Sequence, residues 1–195
     1  MKDRKPCLVV IDMINGFIFE GALSDSSIDK ISGNVLALVK DFVERDYPII
    51  SFRDSHQKNS KEFNAFPPHC LENTNESELI ESLKPYENHM ITLLKNSTNG
   101  FMQPQFMDTF NQLDRDEYIC VGCCTDICVL QFALSLQGYI NEHNLETRVS
   151  VVQDSVETFN LPSHSQNEYN RAAMNILRGA GIRVVASYKE IQDEL

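Results

Sequence analysis

No stretch of this sequence is both long and apolar enough to cross a bilayer. Uninterrupted apolar runs are short, such as residues 7–11, against the roughly 20 residues that a spanning helix needs. Positive charge is also scarce. Lys and Arg number 17 against 28 Asp and Glu, a formal net charge of −11. Such a surface repels phosphate backbones and anionic headgroups, so neither nucleic acid nor membrane is expected as a partner. No Gly-x-Gly-x-x-Gly follows the first apolar run, which removes the usual sign of a dinucleotide site. There is no repeat, no low-complexity tract and no composition break that would mark a linker, so residues 1–195 read as one domain. Residues 1–6 are charged and lead into a five-residue apolar run, shorter than the core of a secretory signal. A cytoplasmic protein whose six cysteines are mostly reduced thiols is the expectation.

What is present fits a globular chain, 42% hydrophobic and 23% charged. Short β-rich runs occur at residues 7–12, 47–53, 90–94, 118–122, 148–153 and 183–186. Between them lie helical stripes. Ile28, Ile31, Val35, Leu38, Val39 and Phe42 form one stripe, and Val129, Phe132, Ala133 and Leu136 form another, which Gly138 is expected to stop. A third stripe, Tyr169, Ala172, Ala173, Ile176 and Leu177, ends at Gly179 and Gly181. Nearly continuous apolar strands separated by helices predict a parallel sheet covered on both faces, a three-layer α/β/α domain with six strands. Residues 54–75 lack clear periodicity, and a loop of that length in a compact domain points to function.

In such a sheet, ligands bind beyond the carboxyl ends of the strands. Those ends carry Asp12, then Arg53-Asp54-Ser55-His56, then Lys95, then Gly122-Cys123-Cys124-Thr125-Asp126-Ile127-Cys128. Cys120 lies within its strand and reads as a small buried apolar residue. Thr125 or Asp126 can cap the following helix, which places Cys128 in its first turn. There, orphan N–H groups favour a thiolate, with Lys95 as a nearby ammonium. Cys128 is thus a nucleophile or a buried packing residue. A zinc site of Cys123, Cys124 and Cys128 lacks the paired Cys-x-x-Cys spacing of structural sites. In the long loop, Asp54, His56, Glu62 and His69 form either a site for zinc, manganese or iron or a hydrated polar loop. His89, His143 and His164 lie outside this cluster and read as surface or structural residues, and residues 141–146 read as a solvated turn.

At these residues the sequence resembles the cysteine hydrolase superfamily that contains the nicotinamidases and isochorismatase. Three motifs carry the resemblance: Val10-Ile-Asp12-Met-Ile-Asn15-Gly-Phe17; Leu94-Lys95 with Asn99-Gly100-Phe101; and Gly122-Cys-Cys-Thr125-Asp126-Ile-Cys128-Val129. Their order and spacing agree from residue 6 to about residue 187. The resemblance implies an isochorismatase-like, Rossmann-like sheet of order 3-2-1-4-5-6 and a homo-oligomer. It implies Cys128 as nucleophile, Asp12 as proton carrier and Lys95 as the cation that holds both. The oxyanion hole would come from the backbone N–H groups of Cys124 and Cys128, with a cis peptide between Cys123 and Cys124. Asp54, His56, Glu62 and His69 match the ligands of metal-bearing nicotinamidases, so one divalent ion is expected, with zinc first and manganese or iron as alternatives. Phe17 and Phe66 would wall the substrate ring.

The implied activity is deamidation of nicotinamide to nicotinate and ammonia through a Cys thioester, feeding NAD salvage. The alternatives are another small-amide or ureide hydrolase of this superfamily, and a noncatalytic binding or thiol-redox protein on the same scaffold. Isochorismatase itself fits less well, because vinyl-ether hydrolysis has no need of Cys128. Three positions depart from the nicotinamidase pattern. Ile14 stands where Gln is common, Gly16 where an acidic residue is common, and Phe66 where Trp is common.

Overall fold

Six parallel strands form one sheet in the order β3-β2-β1-β4-β5-β6 in the computed structural model, which describes residues 5–195. The strands are β1 (Pro6–Ile11), β2 (Ile49–Asp54), β3 (Met90–Lys95), β4 (Glu117–Cys123), β5 (Arg148–Glu157) and β6 (Arg183–Val185). The α-helices are α1 (Asn15–Ile18), α2 (Ser32–Glu44), α3 (Phe106–Leu113), α4 (Leu130–His143), α5 (Gln166–Gly179) and α6 (Tyr188–Glu194). The charged residues 1–4 of the N-terminal reading lie outside the described residues. No helix among the described residues is long and apolar enough to cross a membrane.

The two-residue period of β1 explains the layers. Leu8 and Val10 pack into a cluster with Val35, Leu38, Val39 and Phe42 of α2 and Ile191 of α6. Cys7, Val9 and Ile11 point the other way, into a cluster with Phe106 and Phe110 of α3, Phe132 and Leu136 of α4, and Met174 and Leu177 of α5. Every residue of β1 and β4 is buried, as strands covered on both faces must be. Each large apolar side chain so buried contributes about 1.5–3 kcal/mol.

The order predicted for the sheet holds, and the differences are local. The 28–42 stripe is two elements: a 3₁₀ turn, Ser26–Ile31, capped by the Asp25 carboxylate accepting from the Ser27 N–H, and then α2. Helix α4 does not stop at Gly138. A Cβ there would meet nothing within 4 Å, so the position is open, and the helix runs to His143 and ends on Asn144 in the left-handed region, φ 50°. Strand β5 continues past the polar pair Gln153-Asp154. The Asp154 carbonyl accepts from the Asn34 side chain at 2.7 Å and its carboxylate from the Tyr188 N–H at 2.9 Å, so polar residues inside this strand anchor α2 and α6. Helices α3 and α6 carry no stripe long enough to be read in advance.

The chain reverses direction across the sheet between β1 and β4, which pair with Ile11 opposite Gly122. Gly122 sits at φ +111°, and a Cβ built on it would lie 2.0 Å from the Ile11 carbonyl oxygen. Gly122→Ala is therefore expected to destabilise the fold by about 2–6 kcal/mol, from left-handed strain and overpacking together. Chemical denaturation would measure the loss; a change below about 1 kcal/mol would mean that the two strands part easily.

Candidate active site

Four strand ends converge at that reversal point. The Asp12 N–H continues the ladder to the Phe52 carbonyl at 3.0 Å, and the residue turns out of the strand at φ 52°. Its carboxylate then accepts from the Asp54 N–H at 3.0 Å. Asp54 ends β2 in register with Lys95, which ends β3. The Lys95 ammonium reaches Asp12 Oδ2 at 2.8 Å and Asp54 Oδ1 at 2.5 Å, and it donates to Cys128 Sγ at 3.9 Å. All four side chains are buried. The structure thus brings Asp12, Lys95 and Cys128 together and adds Asp54 to them. Sequence reasoning had placed Asp54 with the metal ligands alone, because only the β2–β3 register reveals its second neighbour.

Burial pushes the Asp12 carboxyl up to about 7, against the pull of the Lys95 ammonium. Burial also opposes charge on Asp54, yet Lys95 and the His56 and His69 imidazoles hold its carboxyl below the usual carboxylate range. Lys95 loses solvation too, but the two carboxylates keep its ammonium well above the ordinary lysine range. For Cys128, burial pushes the thiol well up and the Lys95 ammonium only partly offsets it. Burial therefore works against the thiolate that the helix start favours, and the Asp12 carboxylate stands beside the thiol as a proton acceptor.

The local helix geometry differs as well. Residues Thr125–Val129 form a single π turn, with the Val129 N–H reaching the Cys124 carbonyl at 3.1 Å, before α4 begins. Neither Thr125 nor Asp126 caps it: the preceding residue is Cys124, without a side-chain cap. Cys128 remains in the first turn. The Cys123–Cys124 peptide is cis, at the bond that the resemblance singles out. Cys123 donates its thiol to the Asp12 carbonyl at 3.1 Å. Of the six free cysteines, Cys124 and Cys128 line the adjoining cavity, and the other four are 0% exposed.

Residues 54–75 fold back on the sheet. The His56 N–H donates to the Cys70 carbonyl at 2.8 Å, and the Glu72 N–H to the His56 carbonyl at 2.9 Å. Glu62 lies on a 3₁₀ turn, Lys61–Asn64, capped by Ser60. The loop thereby gathers one ligand atom each from Asp54, His56, Glu62 and His69, all within 4.8 Å of one another. Asp54 Oδ2, His56 Nε2 and Glu62 Oε1 are buried and have no hydrogen-bond partner. The outer atoms are tied: His69 Nδ1 to the Pro67 carbonyl at 2.8 Å, His56 Nδ1 to Asn96 Oδ1 at 3.2 Å, and Glu62 Oε2 to the Thr98 N–H at 3.1 Å. Buried acceptors left open at a shared centre, with outer atoms anchored, are what a divalent cation requires. The donor set fits the expected ion. The neighbouring cluster of Asp12, Asp54 and Cys128 already holds a cation, the Lys95 ammonium.

Beside these groups opens a cavity of about 560 Å³, into which Phe17, Phe66, His69, Cys124 and Cys128 face. Its charged lining residues are Asp25, Asp54 and Glu62; among the described residues no Lys or Arg lines it. Of the three departures from the nicotinamidase pattern, only Phe66 faces the cavity. Ile14 is fully buried and bridges to Leu79. Gly16 has no room for a side chain, since a Cβ would lie 2.4 Å from Cys70 Sγ and 2.9 Å from the Glu76 carbonyl. One residue was set aside by the sequence reading. His164 does not stand apart: its ring contacts Asp126, two positions before Cys128. A separation of 38 residues left no sequence signal for that pair.

The model of the isochorismatase domain matches residues 6–187. The chain is 29% identical to nicotinamidase 1 of Arabidopsis thaliana over 95% of its own length and 87% of that protein. The crystal structure of nicotinamidase PncA from Bacillus subtilis superposes with a TM-score of 0.80 at 26% identity, covering 93% of this chain and 99% of that one. N-carbamoylsarcosine amidase from Thermoplasma acidophilum shares the fold, with a TM-score of 0.77 at 24% identity over 93% of this chain and 95% of that one. With the match spanning nearly the whole sequence and the six strands in the expected order, the chain belongs to the isochorismatase domain family.

Proposed function

We propose that this protein is a cysteine amidohydrolase whose substrate is nicotinamide, split to nicotinate and ammonia. The observation that carries this reading is the buried contact of one ammonium with two carboxylates and a thiol, at the wall of a cavity. Cys128 attacks the amide carbon, and Asp12, within 4.8 Å of it, takes the thiol proton. The C–N bond then breaks as Asp12 returns that proton to the departing ammonia, leaving a thioester. Asp12 next accepts a proton from water, which attacks the thioester, and nicotinate leaves as Cys128 recovers its hydrogen. Lys95 balances the charge that moves between the two. The backbone N–H groups of Cys124 and Cys128 would hold the oxyanion.

Asp54, His56, Glu62 and His69 would hold a divalent ion, zinc before manganese or iron, which when bound supplies a coordination point for a ring nitrogen. Phe17 and Phe66 would flank the ring. A neutral amide suits a cavity that, among the described residues, no Lys or Arg lines.

Incubation of the purified protein with nicotinamide should release ammonia and nicotinate in equal amounts. No release at millimolar substrate with metal present would overturn the reading. Metal analysis is expected to find about one divalent ion per chain. His69→Ala should reduce the affinity for that ion about 10- to 100-fold, since it removes one of four ligands, and should raise KM. Full metal content in that variant would remove His69 from the site.

A further inference from the structure

We propose that His164 is a positioning residue that fastens one wall of the cavity to the turn bearing Cys128, and thereby sets which amides fit. The inference rests on the amidohydrolase reading. Phe159, Asn160 and Leu161 follow β5 and line the cavity. The segment closes on itself, with the Leu161 N–H donating to the His164 carbonyl at 3.0 Å and the His164 N–H to the Leu161 carbonyl at 2.9 Å. The imidazole then works in two directions. Nδ1 lies 3.0 Å from the Phe159 carbonyl, and Nε2 lies 2.8 Å from Asp126 Oδ2. The imidazole is thus tied to an oxygen at each of its two nitrogens. It is stacked between Phe159 and Tyr169, with ring centroids at 3.8 and 3.7 Å, an arrangement that fixes its plane.

The β4–β5 ladder joins the two segments at their bases, with Cys123 opposite Glu157, and the His164–Asp126 pair joins them again beyond the end of the ladder. Asp126 belongs to the π turn that positions Cys128, whereas Phe159 to Leu161 belong to the connection between β5 and α5. The wall has a second anchorage in the Asp25 carboxylate, which accepts from the Asn160 N–H at 2.8 Å. His164 therefore fixes where the wall stands relative to the nucleophile, while Asp25 and the strand hold the wall in the fold.

His164→Phe keeps an aromatic ring between Phe159 and Tyr169 and removes both bonds. In that variant, KM for nicotinamide should rise about tenfold, the equivalent of one hydrogen bond between wall and turn, with kcat within about threefold. The preference for nicotinamide over a ring-methylated nicotinamide should shrink by about the same factor. Asp126→Asn should shift the preference the same way, and the double variant should lose no more than the larger single loss. A lowered melting temperature with the substrate preference intact, or a loss in kcat at constant KM, would overturn the proposal.

Deuterium exchange of peptides covering residues 158–164 reads the clamp without any turnover. Exchange should rise about tenfold in His164→Phe, for one lost anchoring bond; unchanged exchange would overturn the clamp. Wild-type protein inactive on nicotinamide, with exchange raised as expected, would instead defeat the substrate reading and leave the clamp standing.

Discussion

Cys128→Ala is expected to lower ammonia release from nicotinamide about 10⁴-fold or more, the scale on which removal of a covalent nucleophile acts. The fold should survive, because the change deletes one buried sulfur at a cost of about 1 kcal/mol. Metal content and substrate binding should survive too, since none of the four candidate ligands is touched. The neighbouring thiol provides the control. Cys124 also faces the cavity, but its role in the proposed mechanism is its backbone N–H, which alanine retains. Cys124→Ala should therefore keep most of the activity. Alkylation by iodoacetamide, followed by peptide mapping, checks the same assignment, because only these two of the six cysteines have any exposure. Burial pushes the Cys128 thiol up, so labelling should be slow, and slower still in Asp12→Asn. Modification confined to Cys124, with turnover surviving in Cys128→Ala, would overturn the mechanism.

Lys95→Ala should have the second-largest effect, on two quantities at once. Turnover should fall about 10²- to 10³-fold, as when a preorganised group that offsets charge in the transition state is removed. Stability should fall by about 3–5 kcal/mol, because Asp12 and Asp54, both buried, lose their shared ammonium. The two losses can be separated. Adding Asp12→Asn to Lys95→Ala removes one of the stranded carboxylates, so the double variant should regain part of the stability and none of the activity. Denaturant melts and steady-state rates on the same preparations measure both. Equal stability in wild type and Lys95→Ala would mean that the three groups are not held together as charges.

The residues at the strand ends were legible because strands deliver side chains by position: Asp12, Asp54, Lys95 and Cys128 each end or follow an apolar run, and a parallel sheet puts all such ends on one edge. The four candidate ligands were legible as residue types at plausible spacing. Only the loop's return to the sheet, with His56 bonded on both sides of its backbone, distinguishes a ligand cluster from a hydrated loop. The burial of Cys128 was not legible: its helix position argues for a thiolate, and the three-dimensional burial that works against one is set by the fold. Asp126 looked like a cap, but its carboxylate is engaged by His164, and local sequence carries no information on that partner. The interruption expected at Gly138 did not occur: α4 continues with Ile140 buried against the core, and the left-handed residue that ends it is Asn144.

The position of β1 has a consequence for how the chain acquires its chemistry. β1 lies at the centre of the sheet, yet one of its two neighbours, β4, begins 111 residues after β1 begins, with Pro6 opposite Glu117. During synthesis from the N-terminus, β1, β2 and β3 can pair first, through connections that close early. That half-sheet already carries Asp12, Asp54 and Lys95, the acid groups and the ammonium that balances them. The proposed nucleophile arrives only with the second half, when β4 closes the open edge of β1 and its exit turn brings Cys128 to Lys95. A chain that folds in this order has Asp12, Asp54 and Lys95 balanced in charge before Cys128 joins them, and the proposed site is complete only when the edge of its central strand is sealed.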